Sequence, residues 1–180
     1  MGRRCAPYAA TAGLLGYLPQ RGSLGFAIAV RELVVMGRYR HHGLLSAYAA
    51  AAYALADAAL ARMGVAHLAA RDFTQLSGGE QQLVWLAQFS LQDARVYLLD
   101  EPTQQLDLYC SRRILSLVHG WAVQQNKTVL CNTHDLDNLT ELTGYLLNLS
   151  EPKPQLRSLS AETVREARGW LEQAPGRFAQ

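Results

Sequence analysis

Lysine is almost missing from this chain. Lys127 and Lys153 are the two it has; Asn126 precedes the first and Pro152 the second, so neither follows a glycine. A phosphate-cradling loop of the form Gly-x-x-x-x-Gly-Lys-Ser/Thr therefore has no place within the 180 residues. Charge is sparse at 18%, and 17 basic against 15 acidic residues leave only +2, too even to mark a nucleic-acid partner. The three cysteines, Cys5, Cys110 and Cys131, are odd in number and far apart, which argues against a disulfide framework or a metal spacing and for reduced thiols. Long apolar runs are absent too. The least polar stretch, Gly43 to Ala56, breaks at Asp57, short of the roughly 20 apolar residues that cross a bilayer. No such run follows Met1-Gly2-Arg3-Arg4, so no secretory leader is expected. With 49% hydrophobic residues the composition excludes a disordered chain and suits one folded domain.

What is present alternates between two periodicities. Leu14 to Leu18 predicts a strand that stops at Pro19-Gln20, because proline cannot donate to a ladder. Ile28 to Met36 predicts a helix closed by Gly37, and Tyr39 to Gly43 a basic, histidine-bearing loop. Ala47 to Met63 is strongly helical by propensity and closed by Gly64. A further helix runs from Ser77 to about Leu91, then a buried strand from Val96 to Leu99. Another helix spans roughly Leu108 to Gln124, and a strand covers Thr128 to Asn132. Asp135 or Asp137 is expected to cap a following helix. Tyr145 to Leu149 reads as a last strand, and Ala161 to Gln173 as a terminal helix whose Trp170 packs on the edge of the core. Strands alternating with helices predict an α/β fold with a parallel core.

Two segments carry chemistry on their face. Leu76-Ser77-Gly78-Gly79-Glu80 reads as a glycine turn opening a helix, where unpaired N–H groups and the helix dipole favour anionic oxygens. Val96-Tyr97-Leu98-Leu99 is an apolar strand ending in two adjacent carboxylates, Asp100 and Glu101. Taken with Gln20, Pro102-Thr103, Leu106-Asp107 and His134, in that order, these motifs resemble the nucleotide-binding subunit of ATP-binding cassette proteins over about residues 14 to 150.

The resemblance implies a P-loop NTPase-like, RecA-like parallel sheet with a helical cassette-specific subdomain. It divides the chain into a sheet remnant with the glutamine turn (1–20), a helical subdomain with the signature (21–92), the RecA-like core (93–150) and a C-terminal loop and helix (151–180). It implies ATP and Mg²⁺, with Asp100 holding the ion, usually through water, and Gln20 sensing it together with the γ-phosphate. Glu101 stands where the general base stands, and His134 where a switch histidine contacts the γ-phosphate and positions that base. Ser77, Gly78, Gly79 and Glu80 stand where the signature grips ATP held by the opposite subunit, and Asp107 in a loop that crosses the dimer interface. Implied partners are permease subunits, a second copy or a related ATPase, and indirectly a substrate-binding protein; the implied location is the cytoplasmic face of the inner membrane. Val30 to Arg38, followed by His41-His42, is similar to the insert of importers for iron-siderophore, haem and cobalamin.

Departures are few. Glu80 stands for the commoner glutamine, and Leu83 and Gln88 for arginines of the signature helix; Gln104-Gln105 is unusual in the crossing loop. The missing phosphate loop is the large one. It predicts weak ATP binding and little hydrolysis by these residues alone, and a bare edge where a central strand should lie beside Val96 to Leu99. A truncated longer ATPase, a short chain that borrows a partner's loop and an inactive relic all fit this pattern. Of other classes, a non-transport cassette ATPase and a non-catalytic partner subunit stay open.

Overall fold

The computed structural model describes residues 13–20, 24–41, 47–104 and 106–173; His42 and Gln105 lie outside them. Three parallel strands form the central sheet, β1 (Leu15–Leu18), β2 (Val96–Asp100) and β3 (Thr128–Asn132), in the order β1-β2-β3. Leu18 pairs with Leu99, which pairs with Cys131, so the three carboxyl ends lie side by side. The helices are α1 (Val30–Val35), α2 (Ala50–Arg62), α3 (Gly78–Ser90), α4 (Leu108–Gln124) and α5 (Ala161–Gln173). Two antiparallel strands, β4 (Tyr145–Leu147) and β5 (Leu156–Ser158), form a separate small sheet.

The sheet buries the face that carries Gly16, Leu18, Tyr97 and Leu99. Phe89 of α3, Tyr97 of β2 and Trp121 of α4 pack as three rings with centroids 5.0 to 6.2 Å apart, an arrangement worth about 1 kcal/mol per pair beyond area burial. The Tyr97 hydroxyl accepts from the Ala94 amide at 3.2 Å, and burial pushes its phenol above the ordinary range. Gly16 lies where a Cβ would come within 3.0 Å of the Phe89 ring. Around this seam α1, α2 and α3 bury Val30, Val34, Val35, Ala59, Leu60 and Val84 completely. Arg31 clasps Asp57 with two hydrogen bonds of 2.7 and 2.6 Å, fixing α1 on α2; at nearly half exposure the pair contributes no more than about 1 kcal/mol. A second cluster joins Leu115 of α4 to Leu136, Leu139, Val164 and Ala167.

Several expectations need correction. The strand Val96 to Leu99 is not left bare, because β1 and β3 flank it on both sides; among the described residues β1 and β3 are the two edge strands of this sheet. Tyr145 to Leu147 is a strand, but it pairs antiparallel with β5 and not with the parallel core, and β5 was not foreseen. No α-helix follows Asp135: Asp137–Leu139 makes one 3₁₀ turn, and Asp135 accepts from the Asn138 side chain instead of capping. The α-helix ends at Val35 with Met36 as its C-cap, directly before Gly37 as expected, but the chain continues through Gly37 as a 3₁₀ turn from Met36 to His41. Its glycine is demanded by packing, since a Cβ there would lie 2.2 Å from the Gln88 carbonyl oxygen. On α5, Val164 and Ala167 enter the core, while Trp170 stays 38% exposed.

The start of α3 is closed by a capping box. Ser77 accepts from the Glu80 amide, and the Glu80 carboxylate accepts from the Ser77 amide and hydroxyl, both at 2.8 Å. The backbone bond, then the hydroxyl bond, hold the Glu80 carboxyl below the usual carboxylate range. A depressed folded-state pKa stabilises the fold above the unfolded value and is lost on acidification. Relative to Glu80→Gln, the wild-type chain should therefore lose stability as pH falls from about 5 through the ordinary glutamate range of roughly 4.3 and below. Urea unfolding at a series of pH values reads this, and a pH-independent difference would refute it. Gly37→Ala should cost about 2 kcal/mol by forcing α3 away from the turn. Gly169→Ala on α5, where a Cβ meets nothing within 4 Å, should instead gain up to about 1 kcal/mol. Equal urea midpoints for the two variants would remove the packing account of Gly37.

Candidate functional site

In open α/β sheets the carboxyl ends of parallel strands are where ligands bind. Here that edge carries Gln20 beyond β1, Asp100 and Glu101 at the end of β2, and Asn132, Thr133 and His134 at the end of β3. Gln20 is exposed. Asp100 sits opposite Asn132 in register, and the Asn132 Nδ2 donates to Asp100 Oδ1 at 2.7 Å. The Tyr17 hydroxyl donates to Oδ2 at 3.5 Å, the limit of a hydrogen bond.

Glu101 departs from the strand into the left-handed region, with φ +48°. For a residue with a Cβ this conformation costs on the order of 1 kcal/mol and persists only where the surroundings impose it. They do so through three bonds. The Glu101 amide donates to the Asn132 carbonyl at 2.9 Å, the Gln104 amide donates to the Glu101 carbonyl at 3.1 Å, and Gln82 Nε2 donates to the Pro102 carbonyl at 3.0 Å. The turn brings Glu101 Oε1 to 2.7 Å from His134 Nδ1. A carboxylate only accepts, so that contact places a proton on Nδ1, and in the neutral ring leaves Nε2 as an acceptor. The Glu101 side chain is 13% exposed and that of His134 66%. Glu101 Oε2 is buried and has no hydrogen-bond partner among the described residues, an orphaned acceptor that calls for a ligand, an ion or water.

Asp100 and Glu101 offer hard carboxylate oxygens, and no group of three metal-ligating side chains exists among the described residues. That donor set suits Mg²⁺, which takes one or two carboxylates and completes its shell with water and phosphate. It does not suit an all-protein centre of the zinc type.

The remaining expected residues are arranged differently. Ser77 and Glu80 bond to each other at the start of α3. A Cβ on Gly79 would meet the Leu106 side chain at 3.3 Å, whereas a Cβ on Gly78 meets nothing within 4 Å. Asp107 caps α4, accepting from the Cys110 amide at 2.8 Å; that bond first of all holds its carboxyl below the usual range. Direct hydrogen bonds thus join Asp100 to Asn132 and Glu101 to His134, while Ser77, Glu80 and Asp107 each close on their own helix. Asn132, Tyr17 and Gln82 escaped the sequence reading. Asn132 stands two residues before His134, but its partnership with Asp100 follows only from the β2–β3 register, and Gln82 is one of several glutamines on α3.

The profile of the ABC transporter family matches residues 6–104. The molybdate import ATP-binding protein MolC of Haemophilus influenzae is 36% identical over 137 residues, which are 76% of this chain and 54% of that protein. The hemin import ATP-binding protein HmuV of Pseudomonas aeruginosa is 37% identical over 164 residues, 88% of this chain and 62% of that protein. A solved structure described as an inward-facing ABC transporter of the metal-chelate type superposes with a TM-score of 0.76 at 32% identity, covering 90% of this chain and 64% of that one. The chain spans about half the length of the curated relatives it matches first, 54% of MolC and less of the cobalamin import proteins BtuD of Halobacterium salinarum. Matched by the family profile over more than half of its residues, and sharing the parallel α/β fold of these transporters, the chain belongs to the ABC transporter family.

Proposed function

We propose that these residues are the signature and base-bearing part of the ATP-hydrolysing subunit of an importer for a metal chelate such as an iron-siderophore, haem or cobalamin. The observation that carries the proposal is the Glu101–His134 pair. One oxygen of Glu101 is engaged by Nδ1 at 2.7 Å, and the other is buried without a partner among the described residues. Glu101 is the general base, its free oxygen taking a proton from the water that attacks the γ-phosphate. His134 fixes the carboxylate and presents Nε2 outward. Asp100, held by Asn132 and Tyr17, and Gln20 beyond β1 would hold Mg²⁺, which when bound neutralises charge on the phosphate oxygens. Ser77, Gly78 and Gly79 face the ATP of an opposing subunit. The open space at Gly78 supports this, because packing within the chain gives no reason for glycine there.

The division of labour along the chain is part of the same reading. Residues 1–20 bring the glutamine turn, 21–92 form the helical subdomain, 93–150 the core and 151–180 the C-terminal part. The permease would dock on the helical subdomain, where Ala27, Ile28, Ala29, Ala70 and Asp72 line an open hollow of about 250 Å³ next to the exposed Phe26. No helix among the described residues is long and apolar enough to cross a membrane, so attachment to the cytoplasmic face of an inner membrane would run through such a permease. The chelate class is supported by relatives whose names specify hemin import, achromobactin transport and ferric enterobactin transport. A second reading, a partner that supplies its signature to another subunit's nucleotide, draws on the same open space at Gly78.

Calorimetry of the 180-residue chain with Mg-ATP should show no micromolar binding, because the lysine loop that grips the β- and γ-phosphates is not among its residues; a micromolar Kd would overturn the account. In a longer chain carrying that loop upstream, Glu101→Gln should lower ATP turnover by at least about 100-fold and trap ATP in a closed dimer. Undiminished hydrolysis would remove Glu101 as the base.

A further inference from the structure

Among the described residues three polar ones are nearly inaccessible, Thr103, Ser111 and Asn138. Asn138 has no place in the chemistry proposed above, yet both ends of its amide are engaged. Its Oδ1 accepts from Arg112 Nε of α4 at 3.2 Å, and its Nδ2 donates to Asp135 Oδ2 at 2.8 Å. Burying an amide is costly unless both its donor and its acceptor are satisfied, so the position is specified in its polarity as well as its volume.

What this amide holds is the turn that carries His134. The Asp135 amide donates to the Thr133 hydroxyl at 3.0 Å, and the Leu136 amide donates to the His134 carbonyl at 3.1 Å. Leu136 and Leu139 plug into the cluster formed by Leu115, Val164 and Ala167, and Asp137 pairs with Arg168 of α5. The imidazole itself is 66% exposed, so packing around the ring does little to set its direction. Its 2.7 Å contact with Glu101 must be aimed from the backbone, and the backbone at 133–136 is pinned by the chain Arg112–Asn138–Asp135.

We propose that Asn138 is a positioning residue for His134, and that through Arg112 it ties the switch turn to α4, the helix whose first turn is capped by Asp107. Arg112 stands five residues beyond that cap, so a displacement of α4 that starts at the Leu106–Asp107 loop reaches the His134 turn through one rigid helix and two hydrogen bonds. The inference rests on the reading of Glu101 and His134 as base and switch for its functional meaning, but the coupling itself is a property of this chain.

The test follows the His134 ring by ¹H–¹³C NMR in the 180-residue chain, without nucleotide. In the wild type, Glu101→Gln should shift the ring signals by removing the acceptor at Nδ1. Asn138→Asp keeps an acceptor for Arg112 but sets two carboxylates against each other, so its ring signals should already lie near the Glu101→Gln position. Adding Glu101→Gln to it should then move them by less than a third of the wild-type shift. Exchanging the two roles, Asp135→Asn with Asn138→Asp, restores a donor facing an acceptor and should restore most of the shift. If Asn138→Asp does not fold, Arg112→Met at the exposed end of the relay supplies the same comparison, with about half the effect. Wild-type ring signals and an undiminished response to Glu101→Gln in the relay variants would overturn the proposal, as would an exchange that restores nothing. Since no hydrolysis is measured, loss of the general-base reading in the turnover experiment would leave this coupling standing, and the converse holds equally.

Discussion

Parallel pairing on both sides of β2 is the constraint on which the remaining arrangement depends. Because Leu18, Leu99 and Cys131 stand in one row, the strands end together, and the residues just beyond them share a single edge. Period-two alternation then sends Tyr97 and Leu99 into the helices and leaves Asp100 on the opposite face, where Asn132 and Tyr17 reach it. The Phe89–Tyr97–Trp121 rings lock α3 and α4 on the buried face, so the two helices meet the sheet at a fixed height. A slip of one residue in β2 against β3 would put Asp100 in the core and separate Glu101 from His134. The register is thus both a packing requirement and a requirement of the site.

Three non-glycine residues among those described take a left-handed backbone, Asp93, Glu101 and Asn126, and of these Glu101 lies at the carboxyl end of the sheet. Glu101 adopts a conformation that glycine would take without cost, and one bond within its own turn and two from other segments, β3 and α3, maintain it. A residue that chose only its own comfort would continue the strand and direct its carboxylate elsewhere. Stabilisation supplied by the neighbours instead keeps one oxygen on His134 and leaves the other buried without a partner among the described residues. The same economy is seen at the helix starts, where Ser77, Glu80 and Asp107 satisfy their own backbone amides. For Ser77 this means that the hydroxyl already donates to Glu80, so a phosphate approaching α3 would compete with an internal carboxylate.

Much of this was legible in the order of residues. The periodicities of 108–124, 128–132 and 161–173 mark α4, β3 and α5 to the residue, because each lies between clear breaks in pattern. The segment 28–36 was legible only as helical. Its division into a short α-helix and a 3₁₀ turn comes from the Gln88 carbonyl pressing on Gly37, a contact 51 residues away in the chain. Likewise Tyr145 to Leu147 looks like a core strand, because local sequence cannot say which neighbour a strand will have; β5 supplied it. Asp135 and Asp137 resemble helix caps by type, but a buried amide and an arginine of α5 claimed them first.

The sequence by itself determined where most of the helices and strands form and which side chains are candidates for chemistry, since helix starts, strand ends and adjacent carboxylates are written in local residue order. It also determined that a lysine-bearing phosphate loop is not among these 180 residues. Only the tertiary structure decided that Asn132 holds Asp100, that Glu101 turns left-handed to meet His134, that Asn138 bonds Asp135 beside His134, and that β2 is the strand flanked on both sides. These are relations between residues distant along the chain, and they exist only once strand register and helix packing have set the distances.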